Sequence, residues 1–141
     1  MDDEFLRATI SLRAVVSRQD GAVLLVRRSS DEGWELPGGR IHRDEAVVDC
    51  LRREIDEEVG LAVTINGPIS AVSWHNEAGE DRFAVYYHCT TGESAVRLSE
   101  EHTDAKWVAD TTAIERLSDP QSTAVERAVA PDQRPLAEGD D

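Results

Sequence analysis

The chain has 141 residues, of which 40% are apolar and 31% are charged, a composition typical of one globular domain and unlike that of a disordered chain. Its formal net charge of −14 at pH 7 argues against binding to long nucleic acids, whose phosphates an acidic surface repels. We also expect a cytoplasmic protein with no membrane partner, because no apolar run approaches the about eighteen residues of a membrane span and the acidic start lacks the features of a signal peptide.

Two apolar, β-branched segments come first, at residues 8–18 and 22–28. Asp20-Gly21 lies between them and is typical of a hairpin turn. A loop rich in serine, glycine and proline follows, up to Gly39.

Residues 45–59 then take a helical period. Asp44 is a suitable N-cap for this helix, and Gly60 is suited to the left-handed residue that ends it. The apolar stripe predicted to be buried comprises Val47, Val48, Leu51, Ile55 and Val59.

The second half of the chain contains two further strand segments, at residues 61–74 and 82–90, joined by a polar turn. Gly67-Pro68 indicates a bend or bulge in the first of them. A short strand at 105–108 and a closing helix at 119–129 complete the predicted elements.

We see no internal repeat and no second domain, so residues 1–130 are predicted to form one α+β or mixed α/β sandwich with one conspicuous helix. Residues 131–141 are polar, acidic and proline-bearing, and we expect a disordered tail there. Cys50 and Cys89 form no CxxC pair. Reduced, buried thiols are expected for both, with a single disulfide as the alternative.

Three carboxylates of the predicted helix stand in an unfavourable place. At about 100° per residue, Glu54, Glu57 and Glu58 fall on one side of the helix, next to its apolar stripe. Like charges three or four residues apart repel each other, and carboxylates in the last turn face the negative end of the helix dipole, at a cost of roughly 0.3–1 kcal/mol each. The cluster is either plain acidic surface or a site for a hard cation such as Mg²⁺ or Mn²⁺.

The residues around this cluster resemble the signature of the Nudix hydrolase family. From Gly39 to Leu61 the chain reads GRIHRDEAVVDCLRREIDEEVGL. This is a glycine, five residues, glutamate, seven residues, and then Arg-Glu-apolar-x-Glu-Glu-x-Gly-apolar. Seven fixed identities of this kind coincide by chance about once in 10⁸ trials. The preceding WELPG, residues 34–38, is similar to the segment that leads into the signature in the family.

The resemblance implies an α/β/α sandwich around a mixed sheet, with the signature as a loop–helix–loop. It implies a hydrolase that needs Mg²⁺, or Mn²⁺ in its place, and cleaves a diphosphate linkage in a nucleoside diphosphate joined to another group. A nucleoside triphosphate or similar small nucleotide is the expected substrate, since the marks of the ADP-ribose, coenzyme A and NADH subfamilies are missing. A nucleotide-sensing module without catalysis is the alternative function. A structural Ca²⁺ site in an unrelated fold is a further alternative for the acidic helix. The resemblance leaves the oligomeric state open, with a homodimer as one candidate.

Site residues follow from the same resemblance. The implied metal ligands are Glu54, Glu57, Glu58 and the carbonyl of Gly38. Arg53 is implied to orient these carboxylates by ion pairing and belongs with Glu54 and Glu57 to the catalytic group. Glu45 matches the first glutamate of the signature, which supports the loop, although a carboxylate is also favoured at any helix N-terminus.

The general base is expected outside the signature. Glu100 and Glu101 resemble the acidic position that precedes a short strand in many relatives, and each is either this base or an exposed charge. His102 is a weaker candidate for the same role.

Substrate contacts are predicted at two kinds of residue. Arginines near the glycine loop either contact phosphate or form surface ion pairs; these are Arg27, Arg28 and Arg40. Aromatic residues either stack on a base or pack in the core; these are Trp34, Trp74 and Phe83.

Overall fold

The computed structural model describes residues 4–130. Over these residues the elements in chain order are β1 (Thr9–Ser17), β2 (Val23–Arg28), β3 (Trp34–Glu35), β4 (Gly38–Arg40), α1 (Val47–Val59), β5 (Thr64–His75), β6 (Asp81–Thr90), β7 (His102–Val108), α2 (Asp110–Arg116) and α3 (Gln121–Val129). The tail predicted at 131–141 lies outside the described residues. No helix within 4–130 is both long enough and apolar enough to span a membrane.

The strands of the described chain form one mixed sheet in the order β3-β2-β1-β6-β5, with β4 beside β1 and β7 beside β2. Strands β1 and β6 run parallel, from the pair Thr9–Arg82 to the pair Ser17–Thr90. The other pairings are antiparallel. The expected bulge in β5 is confirmed, because its register to β6 shifts on both sides of Gly67-Pro68.

The β1–β2 hairpin opens beyond its turn. Its turn is confirmed at Gly21, which has φ +88°, but the two strands pair only at Ser17–Val23. Farther along, β4 pairs with β1 and β3 pairs with β2. The segment predicted as a plain loop therefore contains two short strands, which occupy the opening and place the glycines against β1.

The signature helix α1 differs from the prediction at its start. It begins at Val47 after Ala46, without a side-chain cap, and Asp44 is not its N-cap because it lies in the preceding turn with φ +68°. Val47 and Val48 are 41% and 45% exposed, so the buried stripe is shorter than predicted and begins in the second turn. The end is as predicted, since Gly60 takes the left-handed conformation with φ +69°.

Two apolar layers enclose the sheet, and α1 covers one of them. Strand β2 contributes to both, because Leu24 and Val26 belong to the α1 layer while Val23 and Leu25 point to the layer of α2 and α3. A strand buried on both faces reads as a continuous apolar run, which matches the sequence VLLV. The α/β/α sandwich is confirmed. Both cysteines are free and buried, as expected.

Two C-terminal elements differ in extent from the prediction. Strand β7 begins at His102 and not at Ala105, because pairing with β2 continues to Arg28 through an irregularity in register. Helix α2 was not predicted. It has only seven residues, and its one buried side chain is Ala113, so it is too short and polar to produce a helical period.

Candidate active site

A cavity of about 1000 Å³ opens between β4, α1 and the start of α3. The lining contains five carboxylates: Glu54 and Glu58 of α1, Glu101 directly before β7, Glu35 of β3 and Asp119 before α3. The remaining lining includes both glycines of β4, the side chains of Arg13, Arg28 and Arg40, and part of the sheet face with Trp74, Arg82 and Tyr86. Anionic and cationic side chains thus share one concave site.

Arg53 binds several carboxylates of the signature. Its guanidinium donates two hydrogen bonds to Glu45, at 2.7 and 3.0 Å, and one to Glu54 at 2.9 Å. It also contacts Glu57 at 3.3 Å. The Arg53 guanidinium and the His42 amide hold the pKa of Glu45 at about 2. Glu45 is therefore an anchor for Arg53, as well as a carboxylate just before the helix N-terminus.

Glu58 is 5% exposed, although it belongs to an acidic cluster. Its carboxylate accepts a hydrogen bond from the Gly38 amide at 3.1 Å. Burial raises the pKa of Glu58 to about 7, although the Gly38 hydrogen bond opposes this shift. A buried carboxylate with only one such donor is poorly compensated.

The two glycines of β4 stand in different surroundings. A Cβ atom on Gly39 would overlap the carboxyl group of Glu54, so the absence of a side chain lets this carboxylate lie directly against the backbone. A Cβ atom on Gly38 would collide with the Leu12 carbonyl and the Arg13 backbone, and its φ of +151° disfavours other residues. Gly38 serves the fold, whereas Gly39 makes room for Glu54.

The structure brings only part of the predicted acidic group together. Glu54, Glu58 and Glu101 line the cavity, whereas Glu57 and Glu100 do not. The Glu57 side chain is 58% exposed. Within residues 4–130, no three Asp, Glu, His or Cys side chains stand close enough to enclose a metal ion by themselves.

Of the three arginines predicted to contact phosphate, two line the cavity and one does not. Arg28 and Arg40 line the cavity, and Arg28 also pairs with Asp31 at 2.8 Å. Arg27 is outside it and contacts Glu32 at 3.5 Å.

Among the aromatic residues, only Trp74 of the three candidates reaches the cavity lining. Trp34 instead packs against the α2–α3 layer, with Arg27, Lys106 and Arg116 within 6 Å of its ring. Phe83 is half-buried and absent from the lining.

Four charged residues of the lining were not predicted from the sequence, Arg13, Glu35, Arg82 and Asp119, and the first two belong to one ion-paired cluster. Glu35 is 8% exposed and contacts Arg28 at 3.0 Å, Arg13 at 3.5 Å and His102 at 2.8 Å. The available signal was a charge inside an apolar segment, since Arg13 interrupts the run of β1 and Glu35 stands before Leu36. His102, considered above as a general base, is 6% exposed and absent from the cavity lining.

Comparison with known proteins agrees with this architecture. The model of the NUDIX domain matches residues 8–128. A MutT-like protein of Streptomyces ambofaciens is 31% identical over 111 residues, which cover 79% of this chain and 70% of that protein. The nucleoside triphosphatase NudI of Escherichia coli is 29% identical over 106 residues, or 64% of this chain and 75% of that protein. The crystal structure of a MutT protein from Methanosarcina mazei superposes with a TM-score of 0.76 at 25% identity, covering 88% of this chain and 96% of that one. The chain therefore belongs to the Nudix family and is a Nudix hydrolase, one of the pyrophosphohydrolases of nucleotide anhydrides.

Proposed function

We propose that this enzyme hydrolyses the diphosphate linkage of a small nucleotide, with a nucleoside triphosphate as substrate, and that it uses Mg²⁺, for which Mn²⁺ substitutes. The observation that carries the proposal is the cavity in which Glu54 and Glu58 lie together with Arg28 and Arg40. An anionic substrate needs arginines that contact its phosphates, and it needs carboxylates that hold the cation between the phosphates and the protein. The similarity to a nucleoside triphosphatase supports the choice of substrate.

The residues fit a magnesium ion. Mg²⁺ is held by one or two protein carboxylates while waters and substrate phosphates complete its shell, so it does not require a closed protein cage. Glu54 and Glu58 supply such oxygens from the cavity wall, and we assign Glu57 and the Gly38 carbonyl as further ligands. A cation would also compensate the buried charge of Glu58.

An ion held by Glu54 and Glu58 would supply neutralisation of the phosphate charge and a lower pKa for a water at the site. The side chains supply the remaining functions. Arg53 holds Glu54 and Glu57 in place, and Arg28 and Arg40 bind phosphate oxygens. Glu101 accepts the proton of the attacking water as general base. We choose it over Glu100 because only Glu101 lines the cavity.

A substrate panel tests the proposed function. The protein is incubated with Mg²⁺ and nucleoside triphosphates, nucleotide sugars and dinucleoside polyphosphates, and the release of phosphate or pyrophosphate is measured. We expect cleavage of a nucleoside triphosphate that stops in EDTA and returns with Mn²⁺. Nucleotide binding without any cleavage would identify a sensor module instead.

Alanine should affect different properties at the two glycines of β4, turnover at Gly39 and stability at Gly38. Gly39→Ala is expected to displace the Glu54 carboxylate and to lower kcat by roughly 10–100-fold, as changes that disturb the orientation of a ligand do, with little loss of stability because a side-chain end can move. Gly38→Ala meets backbone and should lower the free energy of unfolding by about 1–3 kcal/mol.

Thermal melts and steady-state kinetics separate the two effects. Gly92→Ala is the control, because a Cβ atom at Gly92 meets nothing within 4 Å. A Gly39→Ala enzyme with unchanged kcat would show that the close approach of Glu54 to the backbone has no part in the reaction.

A further inference from the structure

His102 and Glu35 form a buried hydrogen-bonded pair at the cavity wall, where Glu35 belongs to the lining and His102 does not. His102 Nε2 lies 2.8 Å from Glu35 Oε2, and the two residues are 6% and 8% exposed. Because a carboxylate only accepts hydrogen bonds, Nε2 carries the proton of this bond. The other Glu35 oxygen accepts from Arg28 at 3.0 Å and lies 3.5 Å from Arg13, so the carboxylate is fixed on both sides.

This pair has features that fold stability does not explain. Buried ion pairs contribute little net stability, and apolar residues of similar volume often do better. In addition, His102 Nδ1 is buried without a hydrogen-bond partner within the described residues, which is unfavourable in a folded protein. Fold stability alone therefore does not account for the pair.

The position of His102 indicates another role for the pair. It directly follows Glu101, and the loop is tied down by hydrogen bonds from Ser29 to the Glu101 carbonyl and from the Ser99 amide to the Glu58 carbonyl. The His102 amide also donates to the Ser99 carbonyl at 3.4 Å, which closes the short loop that carries Glu101 and contacts the Glu58 backbone. His102 thus joins Glu35 to the loop that carries Glu101 and contacts the Glu58 backbone.

We propose that Glu35 and His102 are positioning residues for hydrolysis, with Glu35 fixing the imidazole so that it sets the places of Glu58 and Glu101 at the cavity. His102 touches no reacting atom in this role, consistent with its absence from the lining. The inference rests on the proposed function, because Glu58 and Glu101 act there as metal ligand and general base.

The test compares His102→Gln with His102→Asn. Glutamine offers an N–H donor near the position of Nε2, whereas asparagine is too short to reach Glu35. We expect His102→Asn to lower kcat by roughly 10–100-fold and to weaken Mn²⁺ binding by about tenfold or more, with KM changed less than about twofold. His102→Gln should restore most of both losses. His88→Gln is the matched control, because His88 is half-buried on β6, contacts Ser17 at 3.3 Å and is not in the lining.

Mn²⁺ affinity is measured by electron paramagnetic resonance, and folding by circular dichroism and thermal melts. Equal activity and equal Mn²⁺ affinity in the Gln and Asn variants would overturn the positioning role, as would losses that only follow the melting temperature. If the wild type binds Mn²⁺ but cleaves no nucleotide, the proposed hydrolysis fails while the Mn²⁺ comparison still decides the positioning role. A wild type that neither binds Mn²⁺ nor cleaves overturns both.

Discussion

Replacing Glu57 by glutamine is expected to lower kcat by about 100-fold or more while the protein stays folded and melts at the same or a higher temperature. The loss follows from the role of Glu57 as a metal ligand, since charge stabilisation by a metal is worth several kcal/mol and each 1.36 kcal/mol is about tenfold in rate. The unchanged or higher melting temperature follows from the position of Glu57 in the last turn of α1, where its charge opposes the helix dipole.

The position of Glu57 makes this experiment informative. Its side chain is 58% exposed and contacts Arg53 at 3.3 Å, whereas Glu54 and Glu58 already line the cavity. As a ligand, Glu57 must therefore turn toward the cavity when the ion binds. Glu54→Gln should lose activity to a similar degree, and Asp56→Asn, an exposed carboxylate on the same helix, is the control. Wild-type turnover in Glu57→Gln would leave metal binding to Glu54, Glu58 and the Gly38 carbonyl.

Local patterns in the sequence were sufficient for most of the fold. The Asp20-Gly21 turn, the bulge at Gly67-Pro68 and the end of α1 at Gly60 each depend on the backbone conformation of one or two residues, and all three were predicted. The N-terminus of α1 was not predicted correctly. Asp44 is a good N-cap by type, but the turn before the helix holds it in a left-handed conformation and Glu45 is bound to Arg53.

The acidic cluster was visible in sequence for a related reason. Its spacing of three and four residues is a property of one helix, so the proximity of Glu54, Glu57 and Glu58 needs no tertiary information. Tertiary information is needed, however, to tell which of the three glutamates is buried. Glu58 is buried because β4 enters the opening between β1 and β2 and offers its Gly38 amide, a pairing that no local pattern predicts.

The same limit applies to Glu35 and His102, which are 67 residues apart. Each residue alone has an ordinary interpretation, as a charge in a short strand and as a polar residue after two glutamates. Only the pairing of β2 with both β3 and β7 brings them together. Long-range contacts of this kind set the surroundings of the site, whereas the signature sets its chemistry.

Replacing Glu58 by glutamine should remove activity and yet stabilise the metal-free protein. Burial raises the pKa of Glu58 from 4.5 to about 7, so the folded protein holds this proton more tightly than the unfolded chain does. Stability is then lost as the pH rises from about 4.5 through 7. Glutamine keeps the shape and can still accept the hydrogen bond of Gly38, but it carries no charge to bury.

In EDTA at pH 8, we therefore expect Glu58→Gln to have a free energy of unfolding higher than the wild type by up to roughly 3 kcal/mol, and the difference should vanish at pH 4.5 and below. Urea unfolding at both pH values measures it. Adding Mn²⁺ at pH 8 should stabilise the wild type more than the variant, because the cation compensates the charge that only the wild type buries. A variant less stable than the wild type at pH 8 without metal would show that protein neighbours already compensate the Glu58 carboxylate. Its buried charge would then not destabilise the metal-free protein.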